Sequence, residues 1–226
     1  MTEPVAPIEG RSVVHLFCKP MATFDKDAAI VAIDSAVAAG VQVVTVSMLG
    51  HKADVAIMAM HPDWWTLRRL QSAMANTGLE IIDSYVSLTE ISEYAAGVPE
   101  EMRNMRLYPD LADVHIDKPA WCFYPMSKKR EGHANWFTLP FEERKELMYE
   151  HGTSGRKFKG RILQVITGST GVDDWEWGVT LFGQHPNDLK DVVYTMRFDE
   201  ASSVYAEFGT FYTGIAATPQ EVFASL

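Results

Sequence analysis

Apolar side chains recur along this chain with two periods, and the alternation between them produces the same order of elements twice. The stretch SVVHLFCK is a short apolar run with β-branched members and predicts a strand. Alanine, isoleucine and valine then return at helical spacing over residues 25–38, and Gly40 closes that helix. VQVVTVSML and ADVAIMAM read as two strands separated by GHK, a loop short enough for a hairpin. A second helix starts at Pro62 and ends before Gly78, and LEIIDSYVSLTEI returns to strand. Strand, helix, strand, strand, helix, strand is the split βαβ order of a ferredoxin-like unit.

From residue 95 to residue 119 the pattern gives way to AAGVPEEMRNMRLYPDLADVHIDKP, a mixed connector with three prolines and several charges. The order then repeats. AWCFYPM predicts a strand, residues 139–151 a helix, GRILQVITG and DWEWGVTLFG two strands, and residues 186–197 a helix. A short helical DEASSVYAE and a last strand, FGTFYTGI, complete it. The boundaries that follow are an N-terminal half over 1–98, a connector over 99–119 and a C-terminal half over 120–226. Each half has one sheet face covered by helices and one bare face. Packing the bare faces together gives an α+β fold of two tandem ferredoxin-like halves, a dimeric α+β barrel.

The helix over residues 139–151 carries clear signals. Thr138 reads as its N-cap, Pro140 suits the first turn, Glu142 and Glu143 suit the positive end, and Gly152 reads as its left-handed stop. Leu147, Met148 and His151 share one face, so the imidazole looks inward from the last turn. An inward histidine is either a core group with a partner or a metal ligand. Around it in sequence stand Tyr124, the cations Lys128, Lys129 and Arg130, and the tryptophans Trp175 and Trp177. Taken singly, Tyr124 is a half-buried strand tyrosine, the three cations a solvated turn, and Arg197 and Ser202 a helix-end charge and a cap-like serine. Trp175 and Trp177 alternate, so one of them faces the core. His15, His51, His61, His115, His133 and His185 read as structural or exposed.

With 226 residues, 47% of them hydrophobic, the chain can bury a large core. A net charge of −10 argues against nucleic acid or an anionic membrane as partner, so any anionic ligand must be held by local cations. Cys18 and Cys122 are too few for a disulfide framework or a cysteine metal site, which fits a reducing compartment. Neither a signal-peptide pattern nor a long apolar run is visible, and the expected location is cytoplasmic.

Four stretches carry a more specific signal: CFYPMSKKREG, NWFTLPFEERKELMYEHGTSGR, QVITGSTGVDDWEWGVTLF and VVYTMRFDEASSVYAEFGTFYTG. Together they resemble the coproheme decarboxylases of the chlorite dismutase superfamily, closely from Arg106 to Gly214. The N-terminal half agrees in element order and in GHKAD at residues 50–54. The resemblance implies a ring of five subunits and conversion of coproheme to haem b. In that reaction hydrogen peroxide drives the oxidative decarboxylation of two propionates to vinyls, and the iron porphyrin is both substrate and redox centre.

Position by position, the resemblance implies that His151 is the proximal iron ligand and that Tyr124 carries the radical that attacks the propionate. It sets Lys128 near the same group and Gln164 on the distal side facing peroxide. Arg106, Trp177, Arg197 and Ser202 then line the porphyrin pocket. Lys128 is expected to leave its strand at the turn beginning KKREG. Two departures stand out: Phe137 replaces a tyrosine common in relatives, and the connector between Arg106 and Tyr124 is longer. A chlorite-degrading enzyme of the same fold calls for a distal arginine where this chain has Gln164. A haem-binding or haem-transfer protein without turnover would not need both Tyr124 and Lys128.

Overall fold

The computed structural model describes residues 3–95, 97–132 and 134–226, so His133 lies outside the described residues. In the first half β1 (Ser12–Pro20) leads through α1 (Lys26–Ala38) to β2 (Gln42–Met48) and β3 (Val55–His61), then to α2 (Trp64–Asn76) and β4 (Leu79–Thr89). Asp25 accepts from the amides of Asp27 and Ala28, and Asp63 from that of Trp65, so each caps donors that a first helical turn leaves unpaired. The helix expected from Pro62 therefore begins two residues later, behind its cap. Gly40 and Gly78 follow α1 and α2 at φ 87° and 88°, a backbone region that suits glycine.

The connector is not featureless. It holds α3 (Glu100–Leu107) and α4 (Val114–Asp117). Within these, only Leu107 is buried, and both helices are short.

The second half runs β5 (Ala120–Lys128), the small hairpin β6 (Arg130–Glu131) and β7 (Ala134–Asn135), a 3-10 turn at Trp136–Thr138, and α5 (Phe141–Arg156). It continues with β8 (Ile162–Gly168), β9 (Trp177–Gly183), α6 (Pro186–Met196), α7 (Glu200–Ser203), β10 (Ala206–Phe208), β11 (Tyr212–Ala217) and α8 (Pro219–Ala224). The single strand expected over FGTFYTGI is two, because β10 and β11 pair with opposite ends of β5.

Two details of α5 depart from the sequence pattern. Thr138 is not its cap: the hydroxyl donates to the Asn135 carbonyl within the 3-10 turn, and Pro140 takes the cap position without a side-chain hydrogen bond. Gly152 does not end the helix. A glycine stops a helix by turning left-handed, and Gly152 stays helical, so α5 runs on to Arg156 and turns where Phe158 is buried.

All the pairings of the large sheet are antiparallel. Within the halves the orders are β2-β3-β1-β4 and β11-β5-β9-β8, the ferredoxin-like arrangement twice over. β2 pairs with β11 and β4 with β8, which joins the two sheets into a closed eight-stranded ring. Phe17, Met58, Tyr85, Trp121, Phe123, Phe182 and Tyr212 pack inside it. Outside, α1, α2 and α8 cover the first half over Leu16, Val55 and Ile57. α6 covers β5 and β9 of the second half. Among the described residues no helix is long and apolar enough to cross a membrane.

Candidate functional site

The outward face of the second half follows from strand parity. On β5, Trp121 and Phe123 point into the barrel, while Cys122, Tyr124, Met126 and Lys128 point out. Register carries this across the sheet: Tyr124 pairs with Val179, and Val179 with Ile166; Cys122 pairs with Leu181, and Leu181 with Gln164. On β8, Val165 is buried inside, whereas Gln164 and Ile166 are exposed, Ile166 to 44%. α5 stands on this outer side against α6 and α7 and buries none of its own residues. The outward face of β5 and β9 is thus packed under α6, Phe158 and Phe211, and on β8 Gln164 and Ile166 stay exposed.

His151 has the partner that an inward histidine requires. Its Nδ1 lies 3.2 and 3.1 Å from the two carboxylate oxygens of Asp199, and the Ser202 hydroxyl is 3.3 Å away. Asp199 is buried and caps α7, accepting from the Ser202 amide at 3.0 Å. Burial raises the Asp199 carboxyl, but the hydrogen bond and charge of His151, with the hydrogen bonds from Ser202, hold it below its ordinary value. A carboxylate on Nδ1 selects the tautomer that leaves Nε2 as the lone-pair nitrogen, the arrangement of a metal-binding histidine. Asp199 is absent from the residues singled out in the sequence. The signal that could have found it is RFDEAS, an acidic cap opening a short helix.

Tyr124 is buried, stacked on Phe211 at 4.4 Å between centroids and edge-on to Phe208 at 5.7 Å. Burial pushes its phenol well above the ordinary value, the Cys122 thiol adds to this, and Arg197 opposes both. The Arg197 guanidinium lies 5.8 Å from the Phe208 ring centroid, so it belongs to the same aromatic group.

Lys128 differs from expectation. It stays in β5, paired with Ala206, and its ammonium turns to α7, donating to the Ala201 carbonyl at 2.5 Å beneath the Trp136 ring, 4.3 Å from the centroid. Burial pushes it down to about 8, while Asp199 and Glu176 pull the other way. The turn after it is the hairpin of β6 and β7, where Arg130 pairs with Glu176 and lies over Phe137.

Trp175 packs toward the barrel interior and Trp177 outward, its Nε1 donating to Glu90 at 3.0 Å. Arg106 is exposed on α3, next to Leu107, whose carbonyl accepts from the Thr89 hydroxyl at 2.8 Å. The fold therefore brings His151, Asp199, Ser202 and Lys128 together around α7, Tyr124 and Arg197 around Phe208, and Gln164 and Trp177 onto neighbouring strands. It carries Arg106 to the end of β4 instead. The donor set fits an iron porphyrin: one imidazole with its far nitrogen available suits a metal whose other ligands arrive with it.

Residues 24–217 match the family model described as chlorite dismutase. A relative from Natronomonas pharaonis, provisionally named for heme binding, is 45% identical over 193 residues. That match covers 78% of this chain but only 31% of the relative, so the chain spans under a third of that protein's length. A heme-binding protein from Thermus thermophilus is 33% identical, with a TM-score of 0.83 over 99% of this chain and 100% of its own. A mutant chlorite dismutase from Candidatus Nitrospira defluvii is 16% identical with a TM-score of 0.76 over 97% and 96%, a likeness of fold.

Proposed function

The chain belongs to the chlorite dismutase family, and on that premise we propose that it binds an iron porphyrin and converts coproheme to haem b with hydrogen peroxide. The observation that carries this reading is the His151–Asp199 pair, with the buried Tyr124 on the outward face of the same half. The heme-binding relatives support the ligand class.

When bound, the porphyrin iron supplies the route by which peroxide oxidises the site. Each propionate then yields a vinyl, carbon dioxide, one proton and two electrons, and one hydrogen peroxide takes two electrons and two protons to give two waters. His151 ligates through Nε2, while Asp199 holds the Nδ1 proton and makes the ring a stronger donor. Gln164 can hydrogen-bond peroxide but cannot take its proton. Tyr124 gives up an electron and its phenolic proton, then takes a hydrogen atom from the propionate carbon next to the ring. That hydrogen restores the phenol, and burial, which raises its pKa, keeps it protonated. Arg197, beside Tyr124, is placed to hold a propionate, with Ser202 and Lys128 contributing from the α7 side; Arg106, at the end of β4, takes no part in this.

We assign the protein to the cytoplasm and to a ring of five subunits, the latter checked by light scattering. Gln164 at the distal position disfavours chlorite degradation, which would call on a guanidinium there. The deciding experiment loads the protein with iron coproporphyrin III, adds peroxide and separates the porphyrins by chromatography. Monovinyl and then divinyl products are expected. A complex that only bleaches would support haem binding or transfer without turnover.

A further inference from the structure

Glu90 follows β4 and accepts a hydrogen bond from Trp177. Two observations place its side chain on the outward face. Leu88 pairs with Gly168, so Glu90, two residues on, projects to the same side; and a Cβ built on Gly168 would run into the Glu90 carboxylate. Gly168 belongs to the β8 row that sends Gln164 and Ile166 outward. The absent side chain at Gly168 therefore makes room for a carboxylate on the site face, and Trp177 Nε1 fixes it at 3.0 Å. Partial desolvation raises the carboxyl above its ordinary value, with the Trp177 hydrogen bond opposing. Glu90 is nonetheless solvent-exposed, so a ligand can meet it.

The charges on this face are segregated. The row of Met126, Trp177 and Gly168 lies two residues, about 7 Å, from the row of Tyr124, Val179 and Ile166. Lys128 and Arg197 belong to the β5 and β10 side, two strand spacings or roughly 10 Å from β8. On the Glu90 side, Arg106 is exposed on α3 and forms no ion pair with Glu90 among the described residues. The β5 edge of the face carries Lys128 and Arg197, while at the β4 edge the group held against the sheet is the Glu90 carboxylate.

Resting on the porphyrin reading above, the geometry points to Glu90 as a specificity-determining residue that accepts only a carboxylate-free edge of the porphyrin. Iron coproporphyrin III has one such edge, the meso position flanked by two methyls. In the type I isomer methyl and propionate alternate around the ring, so every edge carries a propionate. A propionate beside Glu90 would press two carboxylates together in a cleft that the ligand itself desolvates, where like charges repel far more than in water. Trp177 cannot relieve this, because its only N–H is already given to Glu90.

The test is the ratio of dissociation constants for iron coproporphyrins I and III, measured by absorbance titration of the whole protein. Wild type should favour the type III isomer by about tenfold or more. In Glu90→Gln, an exposed and isosteric change, that ratio should fall to within about twofold because the type I isomer binds more tightly. Gly168→Ala, which displaces the carboxylate without removing it, should also lower the ratio. A wild type indifferent to the isomer, or a preference that survives Glu90→Gln, overturns the inference while leaving porphyrin binding intact. A wild type that binds neither isomer removes the porphyrin reading, and this inference with it.

Discussion

A histidine held by a buried carboxylate differs as a ligand from one held by a carbonyl, and the difference lies in one atom of Asp199. Asp199→Asn keeps the volume and one acceptor but removes the charge that makes His151 a strong donor. The hold on the iron porphyrin should weaken by about ten- to a hundredfold, read by titration. The same carboxylate bears on folding. Its folded pKa is depressed, so its stabilising contribution is present above the unfolded carboxylate value and is lost as pH falls through the folded one. Asp199→Asn should therefore be less stable than wild type at neutral pH and approach it in acid, as denaturant titrations at both would show. Tyr124→Phe probes the other half of the site. It keeps the stack on Phe211, so the apoprotein should melt within a few degrees of wild type, and porphyrin should still bind. Vinyl product should disappear; product at the wild-type rate would move the radical to another residue. The sequence singles out both His151 and Tyr124, since their motifs are long. It does not reveal Asp199, whose partner is 48 residues away, nor the direction of Lys128, which depends on Trp136 folding over it from beyond a hairpin.

At the scale of elements, two glycines that look alike in the sequence separate in the structure. Gly78 has φ 88°, and a Cβ there would lie 2.8 Å from the backbone of Phe24; Gly152 is helical and would meet only the Arg156 guanidinium at 3.6 Å. Gly152→Ala should stabilise the apoprotein by about 0.5–1 kcal/mol, because it removes a flexible residue from inside a helix. Gly78→Ala should cost more than about 2 kcal/mol through strain and the clash together. Thermal melts of the two variants moving in the same direction would contradict this account of where α5 ends. The helix was legible from its periodicity, but its end was not, because a glycine's φ is set by what the next residues bury, here Phe158. The connector helices escaped for a different reason: α3 and α4 span Glu100–Leu107 and Val114–Asp117, too short for a period to stand out among the prolines and charges around them. Strand order in both halves was readable because alternation and loop length constrain it locally.

At the scale of the molecule, closure of the ring can be tested at His15, which lies inside the barrel and is fully buried. It sits on β1 of the first half, while its neighbours come from the second: Phe123 stacks on it at 4.2 Å, and Thr180 hydrogen-bonds its Nε2 at 3.0 Å. The apolar run around it does not tell whether one or both strand faces are covered, so its burial becomes visible only once two halves close. Its Nδ1 has no partner among the described residues, and burial pushes its pKa down to about 3. A charged imidazole has no place in this interior, so protonation requires the two halves to part. Because the folded pKa lies below the unfolded value of 6.5, the unfolded chain binds the extra proton between the two. Stability from this residue is therefore full above the unfolded value and falls with pH toward 3, by up to about 1.4 kcal/mol per pH unit. His15→Leu should be destabilised at neutral pH, since Thr180 loses its partner and the stack on Phe123 is lost. Lacking the titration, however, it should lose less as the solution is acidified. The gap between wild type and variant in urea denaturation should narrow from pH 7 to pH 4.5. Parallel loss in the two proteins would mean that His15 can take up its proton within the closed barrel.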